Sequence, residues 1–549
     1  MQDAKIERDA GRGEFDVIVV GAGVGGLYAL HRLRGEGYRV RVIEAADDVG
    51  GTWYWNRYPG CRCDIDSMEY SYSFSDELQQ EWRWPERYGT QGEILKYVNH
   101  VANRFDLRRD IQFNTRVKAA HFDRECGLWT IATDAGEALT ARYCIMATGN
   151  LSTPRTPDYP GIEDFKGKWY HTGLWPHDGV DFTGLRVGIV GTGSSGVQSI
   201  PHIARTARHL YVFQRTANFS LPARNKPLDP AYERQHKADY PERRRAAYDT
   251  PFGIAGYPPP TCSALDVSAE ERNRIYEEKW AAGGSISFLY AFTDLLTNKA
   301  ANDTASEFVR NKIRQTVGDP KTAELLCPND HPIGTKRLIL DTDYYETYNR
   351  DNVTLVDVRS APIRQITETG LRTTDDEFEL DAIVFATGFD AMTGAMKEID
   401  IRGDGGTTIA DKWRDGPRTY LGLMTAGFPN LFMVTGPQSP GVKSQMILSC
   451  EQHVDWITDC LNHLRETGGT RIEASKTAED YWVEHNNEVA DSTLYPLANS
   501  WYVGANIPGK PRVFMPYVGG VTRYKEKCDE VAAADYEGFE ISGVRQPAR

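Results

Sequence analysis

Between Phe15 and Glu44 the spacing of apolar residues changes twice. FDVIVV, Phe15 to Val20, is a short continuous β-branched run, the pattern of a parallel strand covered on both faces. It leads into GAGVGG and then into LYALHRLRGEG, where Leu27, Leu30 and Leu33 keep helical spacing until Gly35 and Gly37 interrupt it. YRVRVIE follows as a second strand and ends on an acid, Glu44. The same succession recurs in LRVGIVGTGSSGVQSI: strand Val187 to Val190, a Gly-rich turn, a helix through Ile200 and Ile203, then the strand HLYVFQR. YCIMATGN (Tyr143 to Asn150) and AIVFATGF (Ala382 to Phe389) predict two more strands, each closing on Ala-Thr-Gly at a seam between units. From Ser220 to Asp330 Pro-rich pieces such as GYPPPT alternate with charged helical segments. There Ser268 to Glu271 and Thr304 to Glu307 read as capping boxes, and Val309, Ile313 and Val317 share a helix face.

The glycines give these units a chemistry. Gly21, Gly23 and Gly26, and again Gly191, Gly193 and Gly196, fit G-x-G-x-x-G between a strand and a helix, where helix amides receive a pyrophosphate. The residue ending the second strand reads the adenosine ribose. Glu44 accepts hydrogen bonds from two free hydroxyls and repels a 2′-phosphate, so the first unit suits FAD or NAD. The corresponding place in the second unit holds Arg215 and Thr216, and a guanidinium there suits the 2′-phosphate of NADPH. The expected fold is therefore α/β, with two Rossmann-like dinucleotide-binding domains and a helical insertion in the second. Residues 1–150 are expected to form the first part of the first dinucleotide domain, 151–386 the NADP domain with its insertion at about 220–330, and 387–549 the second part of the first domain.

Composition narrows the partners. At 549 residues the chain is long enough for two or three packed units, and 63 basic against 77 acidic residues give a net charge of −14, which disfavours nucleic acid. No apolar run approaches the roughly 18 residues of a membrane span. The opening MQDAKIERDA has charges of both signs and no apolar leader, so a cytoplasmic protein is expected. Nine scattered cysteines without a CxxC or Cys/His cluster predict reduced thiols and no metal site. Cys61 and Cys63, with one residue between them, are poorly spaced for a disulfide.

The connection between the units, FKGKWYHTGLWP, carries Phe165, Gly167, His171, Trp175 and Pro176 in the spacing F-x-G-x-x-x-H-x-x-x-W-P. With GGTWYWNRYPGCRCD, GTKRLILD, GPRTYLGL and SWYVGANIPGKPR, this makes the chain resemble the type I Baeyer–Villiger monooxygenases over nearly its whole length. Relatives that oxidise nitrogen or sulfur usually carry tyrosine at the Trp175 place. The resemblance implies FAD and NADPH as cofactors, and a ketone and O2 as reactants. The product would be an ester or lactone, formed through a C4a-(hydro)peroxyflavin. It implies Arg337 as the permanent cation of the active site, with Asp64 holding it, and His171 as a hinge residue that couples cofactor-domain motion to the site. FAD contacts would fall on Gly21, Gly23, Gly25, Gly26, Glu44, Gly51, Thr52, Trp53, Trp55, Asp64, Tyr70, Val117 and Met446. NADPH contacts would fall on Thr192, Gly193, Ser194, Ser195, Gln198, Arg215, Thr216, Lys336, Arg337 and Trp501, the last on a mobile loop that closes over the cofactor. In an extended segment Lys336 and Arg337 point oppositely, one toward each cofactor. The substrate pocket would use Leu151, Ser152, Ser439, Pro440, Gly441, Val442, Lys443 and Met446. Lys443 departs from the apolar residue usual in phenylacetone-type relatives and either lines the pocket or turns to solvent; Cys61 departs from the commoner alanine.

Overall fold

The computed structural model describes residues 13–544, so the opening MQDAKIERDA lies outside the described residues. Two separate sheets organise the chain. The first centres on Phe15–Val20, flanked by parallel strands Val40–Ile43 and Ala138–Met146. An antiparallel meander, Val117–Asp123 and Leu128–Thr133, extends it beyond Ala138–Met146. The chain returns after the second sheet and adds Asp400–Arg402 and Leu431–Met433 in parallel. The 22-residue helix Met446–Thr467 then packs on the first βαβ helix, where the Tyr28 hydroxyl donates to Asp455 at 2.8 Å.

The second sheet has five parallel strands in the order Val353–Asp357, His209–Gln214, Arg186–Val190, Ala382–Phe385 and Lys168–His171. Its edge strand is thus part of the aromatic connection FKGKWYHTGLWP, and His171 ends it opposite Phe385. Helices from Pro230–Ala238 to Pro320–Leu326 occupy the predicted insertion. Ser268 caps Ala269–Ala282 by accepting from the Glu271 amide. Thr304 does not begin a helix. Asn298 caps a longer one, Lys299–Thr316, and Thr304 sits inside it, donating to the Ala301 carbonyl. The Asn298 side chain reaches the free amides of Ala300 and Ala301, so the earlier cap wins and a mid-helix threonine bonds backward instead.

The two connections between the sheets run side by side. Arg155 donates its amide to Gly388 at 2.8 Å, Asp390 to Thr153 at 2.9 Å, and Met392 to Asn150 at 2.9 Å. Two adjacent strands of chain, rather than one flexible tether, therefore carry any movement of one sheet relative to the other.

Both Gly-rich turns are built by close backbone approach. A Cβ at Gly26 would stand 1.8 Å from the Gly21 carbonyl oxygen, and one at Gly196 would stand 2.2 Å from that of Gly191. Gly21 and Gly191 have φ of 106° and 108°, which side-chain-bearing residues rarely adopt. Gly26→Ala should lower the melting temperature and FAD retention sharply, because the clash is with backbone and overpacking of this kind costs about 1–3 kcal/mol or more. Gly35→Ala, on the same helix with nothing within 4 Å of the new methyl, should be neutral or stabilising by up to about 1 kcal/mol. Thermal melts of the two variants check this, and equal melting temperatures would contradict it.

Candidate active site

The segment preceding the short strand Ile339–Asp341 delivers two adjacent cations to two different places. The Arg337 guanidinium forks onto Asp64, Nε to Oδ2 at 2.7 Å and Nη2 to Oδ1 at 2.6 Å, while Nη1 donates to the Val442 carbonyl at 2.8 Å. Asp64 belongs to the first sheet's unit and lies 273 residues away in sequence. Burial works against the guanidinium's charge, but the carboxylate outweighs it and holds the pKa above the ordinary arginine value. Of five N–H groups three are engaged by Asp64 and Val442, and the Tyr502 hydroxyl lies close to the same guanidinium.

Lys336 turns the other way, 3.8 Å from Asp330, and feels Arg215 and Arg359 as like charges. Burial first, and those arginines second to Asp330's opposing pull, leave its pKa below the usual lysine value. Arg215 and Thr216 line a cavity of about 170 Å3 with Arg359, Asn329 and Asp357. Arg215 itself is exposed and makes no ion pair or hydrogen bond within the described residues. Arg359, which no sequence motif marks, follows the strand Val353–Asp357, which pairs with the strand ending at Gln214.

Each Gly-rich turn offers an uncapped helix N-terminus: Gly23 and Gly193 precede Val24–Gly35 and Ser194–Ala204 without a side-chain cap, and Gly193 and Ser194 are exposed. That donor set fits a pyrophosphate. Glu44 is buried, and its two oxygens accept from the amides of Ala22 at 2.6 Å and Ala46 at 2.8 Å. Burial raises its pKa, which the backbone amides oppose, and each oxygen keeps a lone pair for a ribose hydroxyl. Val117 packs with Val20 and Ile43, whose strands end at this turn. Gly51, φ 53°, packs against it so closely that a Cβ there would stand 2.9 Å from the Gly23 Cα. Gly25 abuts Val434 and Cys450. These features fit FAD in the first unit and NADPH in the second.

Other predicted residues fall in several settings. Trp53 is buried, its indole nitrogen donating to the Tyr70 hydroxyl at 3.1 Å, whereas Thr52 is exposed and Trp55 half-buried against Tyr54. Thr192 donates to the Thr216 carbonyl at 3.0 Å. Ser195 meets Thr172, the neighbour of His171, at 3.2 Å. Gln198 spends both ends on the first unit, accepting from Tyr58 at 2.9 Å and donating to the Arg62 carbonyl at 3.1 Å. His171 is 2% exposed; Nε2 pairs with the Thr387 hydroxyl at 3.1 Å and Nδ1 accepts from the Gly173 amide at 3.0 Å. Burial pushes its pKa down to about 4, so it is neutral at pH 7. Thr387 in turn donates to Arg155, which puts the imidazole on the paired connections. Phe165 and Trp175 are buried on either side of this edge strand, Gly167 lets it approach Asp381, and Pro176 is exposed. Trp501 is half-buried against Tyr502, and its segment is tied to the second connection by Asn506 to the Phe389 carbonyl at 2.7 Å and Lys510 to Asp390 at 2.5 Å.

Leu151, Val442 and Met446 pack with Tyr495 and Tyr502 beside Arg337, while Gly441 approaches Asn150 and Ser152 turns to its own Thr148 carbonyl. Pro440 and Lys443 line a cavity of about 350 Å3 whose remaining wall is mostly aromatic and aliphatic, including Phe252, Leu296, Tyr495 and Tyr517. Lys443 thus faces the cavity. All nine cysteines are free thiols, no three potential metal ligands cluster, and no helix is long and apolar enough to cross a membrane among the described residues.

The sequence of residues 15–228 matches the FMO-like family, flavin-binding monooxygenase-like proteins. A Baeyer-Villiger monooxygenase from Pseudooceanicola batsensis is 45% identical over 96% of this chain and 95% of its own length. A phenazine N-monooxygenase from Lysobacter antibioticus is 43% identical over 97% and 98%. The solved structure of an oxidized steroid monooxygenase bound to NADP superposes with a TM-score of 0.92 at 54% identity, covering 96% of this chain and 99% of that one.

Replacing Arg215 or Arg359 with alanine should raise the KM for NADPH far more than that for NADH, since only the former carries the 2′-phosphate. Steady-state kinetics with both nucleotides test it, and equal losses would refute the assignment of this pocket.

Proposed function

The chain belongs to the Baeyer–Villiger monooxygenases, and from that premise we propose that Arg337, fixed by Asp64 and the Val442 carbonyl, carries the charge of its reaction. The enzyme uses FAD and NADPH and converts a ketone, O2, NADPH and a proton to an ester or lactone, water and NADP+. FAD supplies the electron transfer from NADPH to O2 and the delivery of one oxygen atom next to the carbonyl. The chain's residues supply orientation, exclusion of water and charge.

Arg337 is the observation that carries this reading. Negative charge develops on the carbonyl oxygen as the ketone is attacked, and a guanidinium already oriented by three hydrogen bonds needs no reorganisation to meet it. Arginine also keeps its proton in a dry site, where lysine need not. Asp64 positions the fork and offsets part of the cost of burying it. Lys336, one residue earlier, joins Arg215 and Arg359 at the 2′-phosphate, so one short segment links nucleotide binding to the catalytic cation. His171 acts without charge, through the hydrogen bonds that join the edge strand to the paired connections. Residues 500–512, fastened to the second connection, would follow the same motion and close over NADP.

The same reading assigns residues 1–150 and 387–549 to an FAD unit and 151–386 to an NADP unit, supported by the strand order of the two sheets. The unpaired cysteines support a cytoplasmic location. Oxidation of nitrogen or sulfur is the second reading, favoured by the likeness to the phenazine N-monooxygenase. It is less supported, because an amine or sulfide attacks as a nucleophile and has no carbonyl oxygen on which negative charge develops for Arg337 to meet.

With a panel of ketones and amines and product identification by gas chromatography, Arg337→Ala should lower ester formation on the order of 100- to 1,000-fold. Near-normal ester yield would refute the role of Arg337. His171→Ala should lower the ester formed per NADPH consumed; an unchanged yield would contradict a coupling role.

A further inference from the structure

The turn that braces Arg337 also presents an amine with no partner. Residues 440–443 form a short 3-10 turn in which the Lys443 amide donates to the Pro440 carbonyl at 2.7 Å. Val442 gives its carbonyl to Arg337, and the next side chain, Lys443, enters the cavity of about 350 Å3. Among the described residues the Lys443 Nζ has no carboxylate within ion-pair distance and no hydrogen-bond acceptor. It stands over two rings, 4.3 Å from the centre of Tyr495 and 4.8 Å from that of Tyr502. The acid whose charge acts on it, Asp64, is already forked onto Arg337.

Two rings are a weak substitute for a counterion. A cation on an aromatic face gains at most a few kilocalories, less than the several that desolvating an ammonium costs. Burial first, and then the like charge of Arg337, accordingly hold Lys443 well below the ordinary lysine pKa. The deficit lies in the wall of a largely apolar chamber, so a ligand that relieves it has an apolar body and an anionic group. A single amine, with no arginine fork among the cavity's lining residues, matches a carboxylate better than a phosphate.

We propose that Lys443 is a specificity-determining residue that selects ketones bearing a carboxylate on an aliphatic chain or ring. This rests on the ketone-oxidising activity of the Arg337 site and names the substrate class of that site. The carbonyl is held at Arg337 and the carboxylate at Lys443, the two cations being joined through the single peptide unit after Val442.

Matched substrates isolate the effect. The FAD-loaded enzyme is assayed for ester formation from 2-nonanone, 9-hydroxy-2-nonanone and 8-oxononanoate, in the wild type and in Lys443→Met and Lys443→Arg. The ratio of kcat/KM for the acid to that for 2-nonanone should fall on the order of tenfold or more in Lys443→Met, as expected for loss of a charged hydrogen bond, and be kept in Lys443→Arg. Equilibrium dialysis of 8-oxononanoate should show the same loss of affinity, and the visible flavin spectrum shows that each variant has folded. An unmoved ratio with ester still formed from both ketones would overturn the role of Lys443 alone. An equal fall for the hydroxyketone would overturn the carboxylate class. Absence of ester from every ketone in the wild type would overturn the activity itself and this assignment with it.

Discussion

One charge pair joins the two halves of the candidate active site. Arg337 comes from the segment that leads out of the helical insertion, Asp64 from a turn in the first unit, and their fork closes a loop of 273 residues. Neither charge is cheap to bury alone, so each makes the other tolerable, and together they hold a permanent cation where two nucleotide-binding units meet. The third bond, to the Val442 carbonyl, brings in the returning part of the chain. Three separate stretches of sequence therefore agree on the position of one planar group.

Around that pair the connections between the two sheets are tied together by hydrogen bonds. The connections 147–155 and 386–392 hydrogen-bond to each other, His171 and Thr387 pin the edge strand to them, and Lys510 and Asn506 fasten the Trp501 segment to the same place. Gln198, on the helix Ser194–Ala204, and Tyr58 add a polar contact across the units. Hinge positions of this kind absorb backbone change while the elements on either side stay rigid. Neutral His171 suits such a place, because a charged ring buried there would lack a counterion.

Much of this is legible in the sequence because it is local. A Gly-rich turn needs its strand, its glycines and its helix in sequence order, so Gly21 to Gly26 and Gly191 to Gly196 announce themselves, and Glu44 and Arg215 follow by counting strands. The antiparallel meander of the first sheet and the three-stranded sheet at Ile363–Glu379 have no such signature. Thr304 misleads because a threonine followed three residues later by a glutamate looks alike at a cap and inside a helix; Asn298, further upstream, decides. Arg359, Tyr495 and Phe252 stay hidden for a different reason: they reach their sites through strand pairing and through packing of distant segments, which no window of sequence contains. Lys443 is ambiguous in sequence because a short turn sets where a side chain starts but not which side of the wall it enters.

The central claim is that Asp64 and Arg337 act as one unit, and a double-mutant cycle on ester formation measures that directly. Arg337→Lys and Asp64→Ala are made singly and together in the FAD-loaded enzyme, and kcat/KM is compared for one good ketone substrate. If the pair is a unit, the double variant loses little more than the worse single variant. Losses that multiply would mean that the two residues act independently, and a guanidinium positioned by its carboxylate could not then be the source of the enzyme's rate.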